Sequence, residues 1–504
     1  MISEDILLVL PIIIHLTTAI ITLFLRRHPR WHRPISVFGG VAVLASALLL
    51  FTQIQQYGIR VSYIGEWVAP YGITLVADRL SGIMVLLTSI IGLATIIYSL
   101  ADIDSAREQY GYHPLLHILL MGICGAFLTG DIFNLYVWFE VLLISSFVLL
   151  TLGASQAQLL GGIKYVTLNL LSSALFLAAA SMLYSVVGTL NMAHISQRLT
   201  DLTIEPQAII TIISFLFLVA FGLKSALFPL YAWLPASYHT PPAAISAVFA
   251  GLLTKVGVYA LLRVFTLIFN HNNDLILNVL LIMSALTMVI AILGTFIQTD
   301  FRRTLSFNLI SHIGYMVMGL ALFTPLSIAG TIFYTIHHII VKTTLFLVSG
   351  IVDRWRGTYD LTLLGDIYRH APAISIMFLI PALSLSGIPP LSGFWPKVAL
   401  LQAALAAEQY LLVLAALFTS LITLYSMTHI WSEAFWKDRP RALPPVEPVS
   451  SQDKFFFFFP VITLITLIIL IGLFANPIML LAQNTAHDLL NPEQYRQAVL
   501  SLTP

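Results

Sequence analysis

Apolar runs long enough to cross a membrane recur from one end of this 504-residue chain to the other. A helix needs about 20 mostly apolar residues to cross the hydrocarbon core of a bilayer. Only 9% of the residues are Asp, Glu, Lys or Arg, against about a quarter in an ordinary soluble domain. A hydrated surface cannot be built from so few charges, so the sequence predicts an all-α protein that crosses the membrane many times.

About fourteen spans result when the apolar runs are divided at charged residues and at Pro/Gly-marked breaks. The segments 229–238 and 390–405 read as second halves of interrupted helices, so they are counted with the seventh and twelfth spans. The spans are expected near 6–25, 35–54, 80–100, 113–129, 131–152, 162–190, 208–228, 240–263, 275–298, 303–323, 327–351, 371–387, 409–432 and 455–481.

The placement of Lys and Arg predicts the orientation, because cytoplasmic loops concentrate these residues. If both termini lie outside, the inner loops hold fifteen basic residues and the outer loops five. The inner group is Arg26, Arg27, Arg30, Arg33, Arg107, Lys164, Arg302, Arg303, Arg354, Arg356, Arg369, Lys437, Arg439, Arg441 and Lys454, and the outer group is Arg60, Arg79, Arg198, Arg263 and Arg496. The other four basic residues, Lys224, Lys255, Lys342 and Lys397, fall inside spans, where an ionisable residue usually marks function.

The seventh and twelfth spans are interrupted by similar sequences, one running from Gly222 to Pro235 and one from Ser386 to Lys397. Proline lacks an N–H and clashes with the carbonyl four residues earlier, so Pro229 should free the carbonyl of Ser225 and Pro396 that of Ser392. Matching breaks five spans apart predict two inverted five-helix repeats, and two ordinary proline kinks are the alternative. The predicted division is 1–112 for spans 1–3, 113–263 for the first repeat, 264–435 for the second, and 436–504 for the last span and tail.

Glu140 is the acidic residue expected deepest in the membrane. It lies nine residues after Asp131, which is about 13.5 Å along a helix and close to the bilayer midplane. A lone carboxylate there is costly and needs a cationic partner. Lys224 is the first candidate and Lys255 the second. The alternative is an ion pair that only holds helices together.

Histidines join the buried lysines in the second half of the chain. His312 lies in the tenth span, and His338 and Lys342 lie four residues apart on one face of the eleventh. Histidine and a buried lysine can both exchange protons at working pH, so with Lys397 these groups can form a proton wire. For any one histidine, a packed core side chain is the alternative, and for His337, which points away from His338, it is the preferred interpretation.

Several other classes of function find no support in the sequence. The chain has no phosphate-binding or dinucleotide-binding glycine motif, so energy is expected to come from an ion gradient or a partner. The single cysteine, Cys124, excludes structural disulfides, iron–sulfur ligation by thiolates and cysteine-based zinc sites. A net charge of +1 gives no reason to expect nucleic acid. We therefore expect no cofactor, no metal and no enzymatic chemistry in this chain.

Four motifs together resemble the antiporter-like membrane subunits, a family that serves both respiratory complex I and the multisubunit Mrp sodium/proton antiporters. They are the run from Asp131 to Glu140, the stretch from Gly222 to Pro235, Thr254-Lys255-Val-Gly-Val-Tyr, and the segment from Gly387 to Lys397. The resemblance covers nearly the whole chain. It implies that Glu140 pairs with Lys224, that Lys255, His312, His338 and Lys342 relay protons, and that Lys397 is the terminal proton site.

Within that family the sequence looks most similar to the D-type subunits of Mrp antiporters. Asn134 and the aromatic run before Glu140 resemble that branch, as does a lysine at position 397, where the M-type complex I subunits typically carry glutamate. About 23 residues follow the last expected span, which leaves no room for the long lateral helix of the L-type and A-type subunits.

The resemblance implies a proton-translocating subunit of a monovalent cation/proton antiporter in a prokaryotic plasma membrane. Subunits of the A, B, C, E, F and G types are then the expected partners, with protons, a monovalent cation and lipid as ligands. The alternatives are a pump subunit of complex I or of a membrane-bound hydrogenase, and a structural scaffold for partner subunits. A scaffold predicts that the buried lysines tolerate replacement.

The charge bias makes the topology directly testable. In a chain whose native Cys124 is replaced by alanine, single cysteines near Arg30 and Arg439 should react with an impermeant thiol reagent only from the cytoplasm. A cysteine near Arg198 should react only from outside. The opposite labelling pattern would overturn the predicted orientation.

Overall fold

The structure is a computed structural model that describes residues 4–25, 28–201, 207–270, 274–438 and 450–501. Among the basic residues behind the predicted charge bias, Arg26, Arg27, Arg439 and Arg441 lie outside these ranges. Within the described ranges the chain is almost entirely helical, which confirms the predicted all-α polytopic class.

The described residues of the first half form twelve α-helices and one hairpin. The helices are α1 (Glu4–Phe24), α2 (His32–Tyr57), α3 (Arg79–Asp102), α4 (Ser105–Gln109), α5 (Tyr112–Leu128), α6 (Ile132–Thr151), α7 (Gln156–Val187), α8 (Met192–Asp201), α9 (Gln207–Ser225), α10 (Trp233–Ser237), α11 (Ala243–Val248) and α12 (Thr254–Leu267). A π-helical turn, Phe249–Leu253, joins α11 to α12. The hairpin pairs β1 (Arg60–Tyr63) with β2 (Thr74–Ala77) in antiparallel register and was not predicted from the sequence.

The second half contains ten further helices. They are α13 (Asp274–Leu293), α14 (Phe301–Leu322), α15 (Pro325–Arg356), α16 (Ile367–His370), α17 (Pro372–Ser386), α18 (Phe394–Ala406), α19 (Tyr410–Ile430), α20 (Ser451–Leu473), α21 (Ala475–Leu490) and α22 (Pro492–Leu500). A second π-helical segment, Trp431–Trp436, extends α19. The last expected span, 455–481, is divided after Leu473, and α21 and α22 follow it.

Among the described residues, twelve helices are long and apolar enough to cross a membrane. Three shorter apolar helices, α5, α17 and α18, coincide with the fourth span and the two halves of the twelfth span that the sequence predicts. The total of fourteen spans, the division into four segments and the inverted repeats remain predictions.

Both predicted helix breaks are present, and both have the same geometry. At the first, Ala226 adopts a left-handed φ of 59°, and the N–H groups of Ala226 and Leu227 donate to the carbonyls of Leu223 and Gly222. At the second, Gly387 has a φ of 90°. The N–H groups of Gly387 and Ile388 donate to the carbonyls of Ser384 and Leu383 in the same pattern. This is the Schellman arrangement that ends a helix.

The expected role of the prolines at these breaks was wrong. Pro229 lies beyond the end of α9, and Pro396 lies in the first turn of α18, where the missing N–H costs little. Neither proline therefore interrupts a helix from within. The left-handed residues Ala226 and Gly387 end the two helices, and the prolines only prevent the chain from continuing them.

Helix α15 lies at the centre of the molecule. Its most apolar 18-residue window is entirely buried, because α11, α14, α17, α18, α20 and α21 all pack against it. Close contact with α14 depends on Gly319, since a Cβ there would lie 2.5 Å from the carbonyl oxygen of Ser327 and 1.8 Å from Oγ1 of Thr331. This fixed helix carries two buried histidines and one of the four lysines predicted inside spans.

Gly319→Ala should therefore destabilise the protein by about 1–3 kcal/mol, since backbone must move to admit the methyl group. A lower melting temperature of the purified protein checks this expectation. Gly222→Ala is the matched control, because a Cβ at that helical position has its nearest contact at 3.7 Å. Equal melting temperatures for the two variants would contradict the packing argument.

A buried line of lysines and histidines as the candidate functional site

The four lysines predicted inside spans are all buried, with relative exposures of 8% for Lys224, 0% for Lys255 and Lys342, and 4% for Lys397. Each ammonium group donates to neutral oxygen atoms. Within the described part of the chain, none of the four forms an ion pair with a carboxylate. Such groups are solvated by dipoles and carry no fixed counter-ion, which leaves them free to gain or lose a proton.

Lys224 lies in the last turn of α9, next to the first break. Its Nζ lies 3.2 Å from Oγ of Ser173 and 3.4 Å from the carbonyl oxygen of Asn169, both on α7. It also sits 5.3 Å from the centre of the Phe139 ring on α6. The structure thus surrounds Lys224 with a hydroxyl, a carbonyl and an aromatic face.

The expected pair of Lys224 with Glu140 is not formed as a direct contact. Glu140 is partly exposed on α6, and its buried Oε1 has no hydrogen-bond partner. The two charges are close enough to interact but lie beyond ion-pair distance. A cavity of about 20 Å³ beside Lys224 and Asn169 has room for about one water molecule. Glu140 and Lys224 are therefore neighbours in an unpaired arrangement.

Lys255 lies in the first turn of α12, next to the π-helical turn. Its Nζ donates to the carbonyl oxygen of Ala250, five residues earlier and inside that turn. A π-turn shifts the hydrogen-bonding pattern of a helix and is often found at functional positions. Here it supplies an acceptor for an ammonium group. Lys255 is also near enough to His338 and Lys342 for their charges to interact.

His312 and His338 face each other across α14 and α15. Their ring centres are 5.6 Å apart. His312 bonds through Nδ1 to the hydroxyl of Tyr334 and lies 3.3 Å through Nε2 from Oγ1 of Thr423. Both ring nitrogens of His338 are buried without a hydrogen-bond partner. Buried polar atoms are normally satisfied, so His338 is a residue for which the surrounding side chains and backbone supply no partner.

Lys342 lies one helical turn beyond His338, on the same face of α15. Its Nζ lies 2.5 Å from Oδ1 of Asn308 and 3.4 Å from the carbonyl oxygen of Leu305, both on α14. This confirms that α15 brings a histidine and a lysine to one interface with α14.

Lys397 occupies the second break, where α18 begins. It donates to the carbonyls of Leu385 at 3.0 Å and Ser386 at 3.2 Å, the last residues of α17, and to Oγ of Ser420 at 3.1 Å. The ring of Tyr315 lies 5.2 Å from its Nζ and 5.7 Å from the ring of His312. Lys397 thus provides a hydrogen-bond donor for the free carbonyls at the end of α17, and it lies beside His312 and His338.

His337 is placed apart from this line. Its Nδ1 lies 2.8 Å from Oγ of Ser392 in the second break, and a Cβ added at Gly393 would come within 2.8 Å of its ring. This packing position agrees with the interpretation made from the sequence, while its Nε2 has no hydrogen-bond partner.

We call Lys224, Lys255, Lys342, His338, His312 and Lys397 the buried line. The structure brings its last five members together around α12, α14 and α15, and Lys224 with Glu140 lies at the first break. Within the described ranges, no cluster of three or more His, Cys, Asp or Glu residues could hold a metal ion. The chemistry available to the line is proton exchange between nitrogen bases.

The polar residues that solvate the line, above all Asn308, Ser420, Ser173 and Tyr315, were not predicted from the sequence. Arg263 was counted with the outer group as the last residue of the eighth expected span, whereas the structure places this residue inside α12 at 2% exposure. The spacing of some of the solvating residues in the sequence could have identified them. Asn308 and His312 are four residues apart on α14, as are Asn169 and Ser173 on α7, and uncharged polar residues so spaced in an apolar span share one face.

Comparison with known proteins gives consistent results. Residues 129–423 match the family described as NADH:quinone oxidoreductase/Mrp antiporter, TM. The chain is 43% identical to the D-type subunit of the Na(+)/H(+) antiporter of Alkalihalophilus pseudofirmus, over 98% of this chain and 99% of that protein. It is 38% identical to the Bacillus subtilis protein of the same name, with the same coverage.

A solved structure agrees with these relatives. A chain of the Mrp complex from Dietzia sp. DQ12-45-1b is 28% identical and superimposes with a TM-score of 0.89, covering 99% of this chain and all of that one. The family match takes in more than half of the chain, and it includes every member of the buried line. This chain belongs to the NADH:quinone oxidoreductase/Mrp antiporter family of membrane subunits.

Proposed function

We propose that this chain is the proton-translocating subunit of a multisubunit monovalent cation/proton antiporter of the Mrp type. The observation that carries the proposal is the buried line, in which four lysines are solvated only by neutral oxygens and two histidines complete the connection. The full-length relatives named as D-type subunits of Na(+)/H(+) antiporters support the choice of complex. The chain then acts as a secondary transporter subunit and catalyses no chemical reaction.

The same comparisons support the expected partners and location. The partners are the other Mrp-type subunits, of the A, B, C, E, F and G types, and the location is a prokaryotic plasma membrane. We retain the orientation with both termini outside, which rests on the fifteen-to-five distribution of basic residues. Ion pairs at opposite ends of α3 agree with separate inner and outer groups of basic residues. Arg33 pairs with Glu108 at one end of α3, and Arg79 pairs with Asp488 at the other.

Transport in this proposal begins with Glu140 and Lys224. When the carboxylate approaches the ammonium, it stabilises the charged lysine, and when it withdraws, the lysine is held only by dipoles and releases a proton more readily. The structure has the separated arrangement, with room for a water molecule beside Lys224. A proton released there moves along Lys255, Lys342, His338 and His312 toward Lys397.

His338 is the step at which hydration matters most. Its two unpartnered ring nitrogens can accept a proton only when a water or a neighbouring base comes within hydrogen-bond distance, near 3 Å. In this proposal a water that comes and goes at His338 opens and closes the line, because the surrounding protein groups offer neither ring nitrogen a hydrogen-bond partner. A pathway that opens and closes in this way can couple proton movement to movement of a cation.

Glu140→Ala should abolish cation-driven proton transport while the complex still assembles, because the charge that biases Lys224 is lost. Glu140→Asp shortens the side chain by one methylene and should retain partial activity. The measurement is dye-reported, sodium-driven proton movement in everted vesicles. Glu408→Gln, in an exposed loop, is the matched control and should transport like the parent. Parental rates in the Glu140→Ala vesicles would refute the assignment.

Lys397 should be required as a base that titrates and not only as a positive charge. Lys397→Ala removes the proton acceptor and should stop antiport. Lys397→Arg keeps a cation that can still donate to the carbonyls of α17 but cannot release its proton, so it should assemble and also fail to transport. Lys437→Arg, near the surface, is the control.

A glutamate at position 397 tests whether transport needs a group that exchanges protons there or a positive charge. Lys397→Glu should retain some activity with a shifted pH optimum only if proton exchange matters more than positive charge. Antiport rates are measured across a pH series, with assembly checked by purification of the complex. If Lys397→Ala or Lys397→Arg transports as well as the parent at every pH, Lys397 has a structural role and the proton leaves by another route.

A further inference from the structure

Helix α12 carries three functional groups in a row on one face, namely Lys255, Tyr259 and Arg263. Residues four apart share a helix face, and eight residues span about 12 Å of helix. All three side chains are buried, with relative exposures of 0%, 3% and 2%. Lys255, Tyr259 and Arg263 thus form a polar row that runs from the buried line toward the membrane face at which α3 begins.

Arg263 is the last residue of that row, and it is held by an ion pair and by two aromatic rings. Its Nη1 lies 2.6 Å from Oδ2 of Asp78, and its Nη2 lies 2.8 Å from Oδ1 of the same carboxylate. The rings of Tyr259 and Tyr495 lie 5.4 Å and 5.2 Å from the guanidinium carbon. Asp78 is itself held, since its carboxylate accepts the N–H of Ser81 as the N-cap of α3. The guanidinium is fixed by a bidentate ion pair and two aromatic contacts.

The hydroxyl of Tyr259 is oriented against proton transfer along the row. It donates to the carbonyl oxygen of Phe127 at 2.8 Å. Its oxygen lies 3.3 Å from Nη2 of Arg263, which can only donate, and 3.2 Å from Oγ of Ser81, which can then only donate to it. Its hydrogen is therefore directed to a backbone carbonyl, and one of its lone pairs faces a permanent cation. In this arrangement the hydroxyl neither accepts a proton from Lys255 nor passes one to Asp78.

The space between Lys255 and Tyr259 is small and mostly apolar. A cavity of about 10 Å³ lies there, lined largely by Leu80, Ile83, Met84, Val258 and Ile332. It is at the lower limit of the volume that holds one water, and its polar lining is limited to Lys255, Tyr259 and Thr335. A water that entered would nevertheless touch Lys255 on one side and the tyrosine on the other.

We propose that Arg263, held by Asp78, is a plug that prevents protons on Lys255 from reaching the membrane face at which α3 begins. Both oxygens of Asp78 are held by the guanidinium of Arg263, and an arginine cannot be neutralised by deprotonation, so neither member of the pair passes a proton on. The plug confines the proton to His338, Lys342 and Lys397. This inference rests on the proposed function, because it assigns the plug a role in coupling the same proton pathway.

The test is passive proton leak through the assembled complex. Purified parent and variant complexes are reconstituted into liposomes without any sodium gradient, and proton flux is followed with an internal pH dye after a pH jump under a potassium and valinomycin clamp. The key variant is Asp78→Asn combined with Arg263→Gln, which removes both charges and leaves no lone buried charge. We expect a several-fold faster leak than in the parent.

Three further variants define the cause of any leak. Arg263→Lys keeps the positive charge and should remain as tight as the parent. Arg79→Gln breaks the neighbouring ion pair with Asp488, away from the Lys255 row, and should also remain tight. Adding Lys255→Gln to the leaky double variant should abolish the leak, because the route runs through Lys255.

The plug is refuted if the assembled double variant is as tight as the parent, or if Arg79→Gln leaks equally, since the leak then reflects general loosening of this surface. A leak that persists without Lys255 also refutes it. Failure of the proposed function would show itself differently, as parental antiport in Glu140→Ala vesicles. The two outcomes are separable because the leak assay involves no cation exchange.

Discussion

A buried ammonium group must be surrounded by oxygen atoms, and in the middle of a membrane only the protein can provide them. An ion left without partners there costs several kcal/mol or more. This chain holds four such groups, and among the described residues none has a carboxylate within ion-pair distance. The oxygens come from backbone carbonyls, hydroxyls and one amide. Much of the architecture can be understood as the means of supplying them.

A carbonyl inside a regular helix already accepts one hydrogen bond and has only its second lone pair to offer, as Asn169 does to Lys224 and Leu305 to Lys342. At the other two lysines the fold departs from regularity. The π-turn Phe249–Leu253 exposes the carbonyl of Ala250 to Lys255, and the end of α17 offers two carbonyls to Lys397. The first break even places Ala226 in a left-handed conformation that costs a non-glycine residue about 1–2 kcal/mol. The strain is local, and α15 remains unbroken at the centre.

The positions of these features could be predicted from the sequence better than their geometry. Lys224, Lys255, Lys342 and Lys397 stand out because charge is rare in apolar spans, and the breaks stand out through their Pro and Gly residues. The acceptors were not predictable in the same way. Ser420 meets Lys397 from 23 residues away, and Asn308 meets Lys342 from 34 residues away, so only helix packing reveals the contacts.

Two errors have one physical cause. Arg263 was taken as the outer end of a span because a charge usually marks such an end, yet Asp78, 185 residues away, pairs with it inside the protein. Pro229 and Pro396 were expected to interrupt the seventh and twelfth spans by freeing the carbonyls four residues earlier, yet the left-handed residues Ala226 and Gly387 end α9 and α17. In both cases a long-range partner or a turn geometry overrode the local rule. The direct ion pair between Glu140 and Lys224 that the sequence suggested is not formed among the described residues, and their functional pairing remains a prediction.

The central claim is that transient hydration completes the buried line at His338. The most direct measurement is a cryo-electron microscopy structure of the assembled complex at a resolution that shows ordered water. The account predicts density for water within hydrogen-bond distance of a His338 ring nitrogen, bridging toward Lys255, Lys342 or His312 in at least one conformation. A His338 that is dry in every conformation of an actively transporting complex would contradict it.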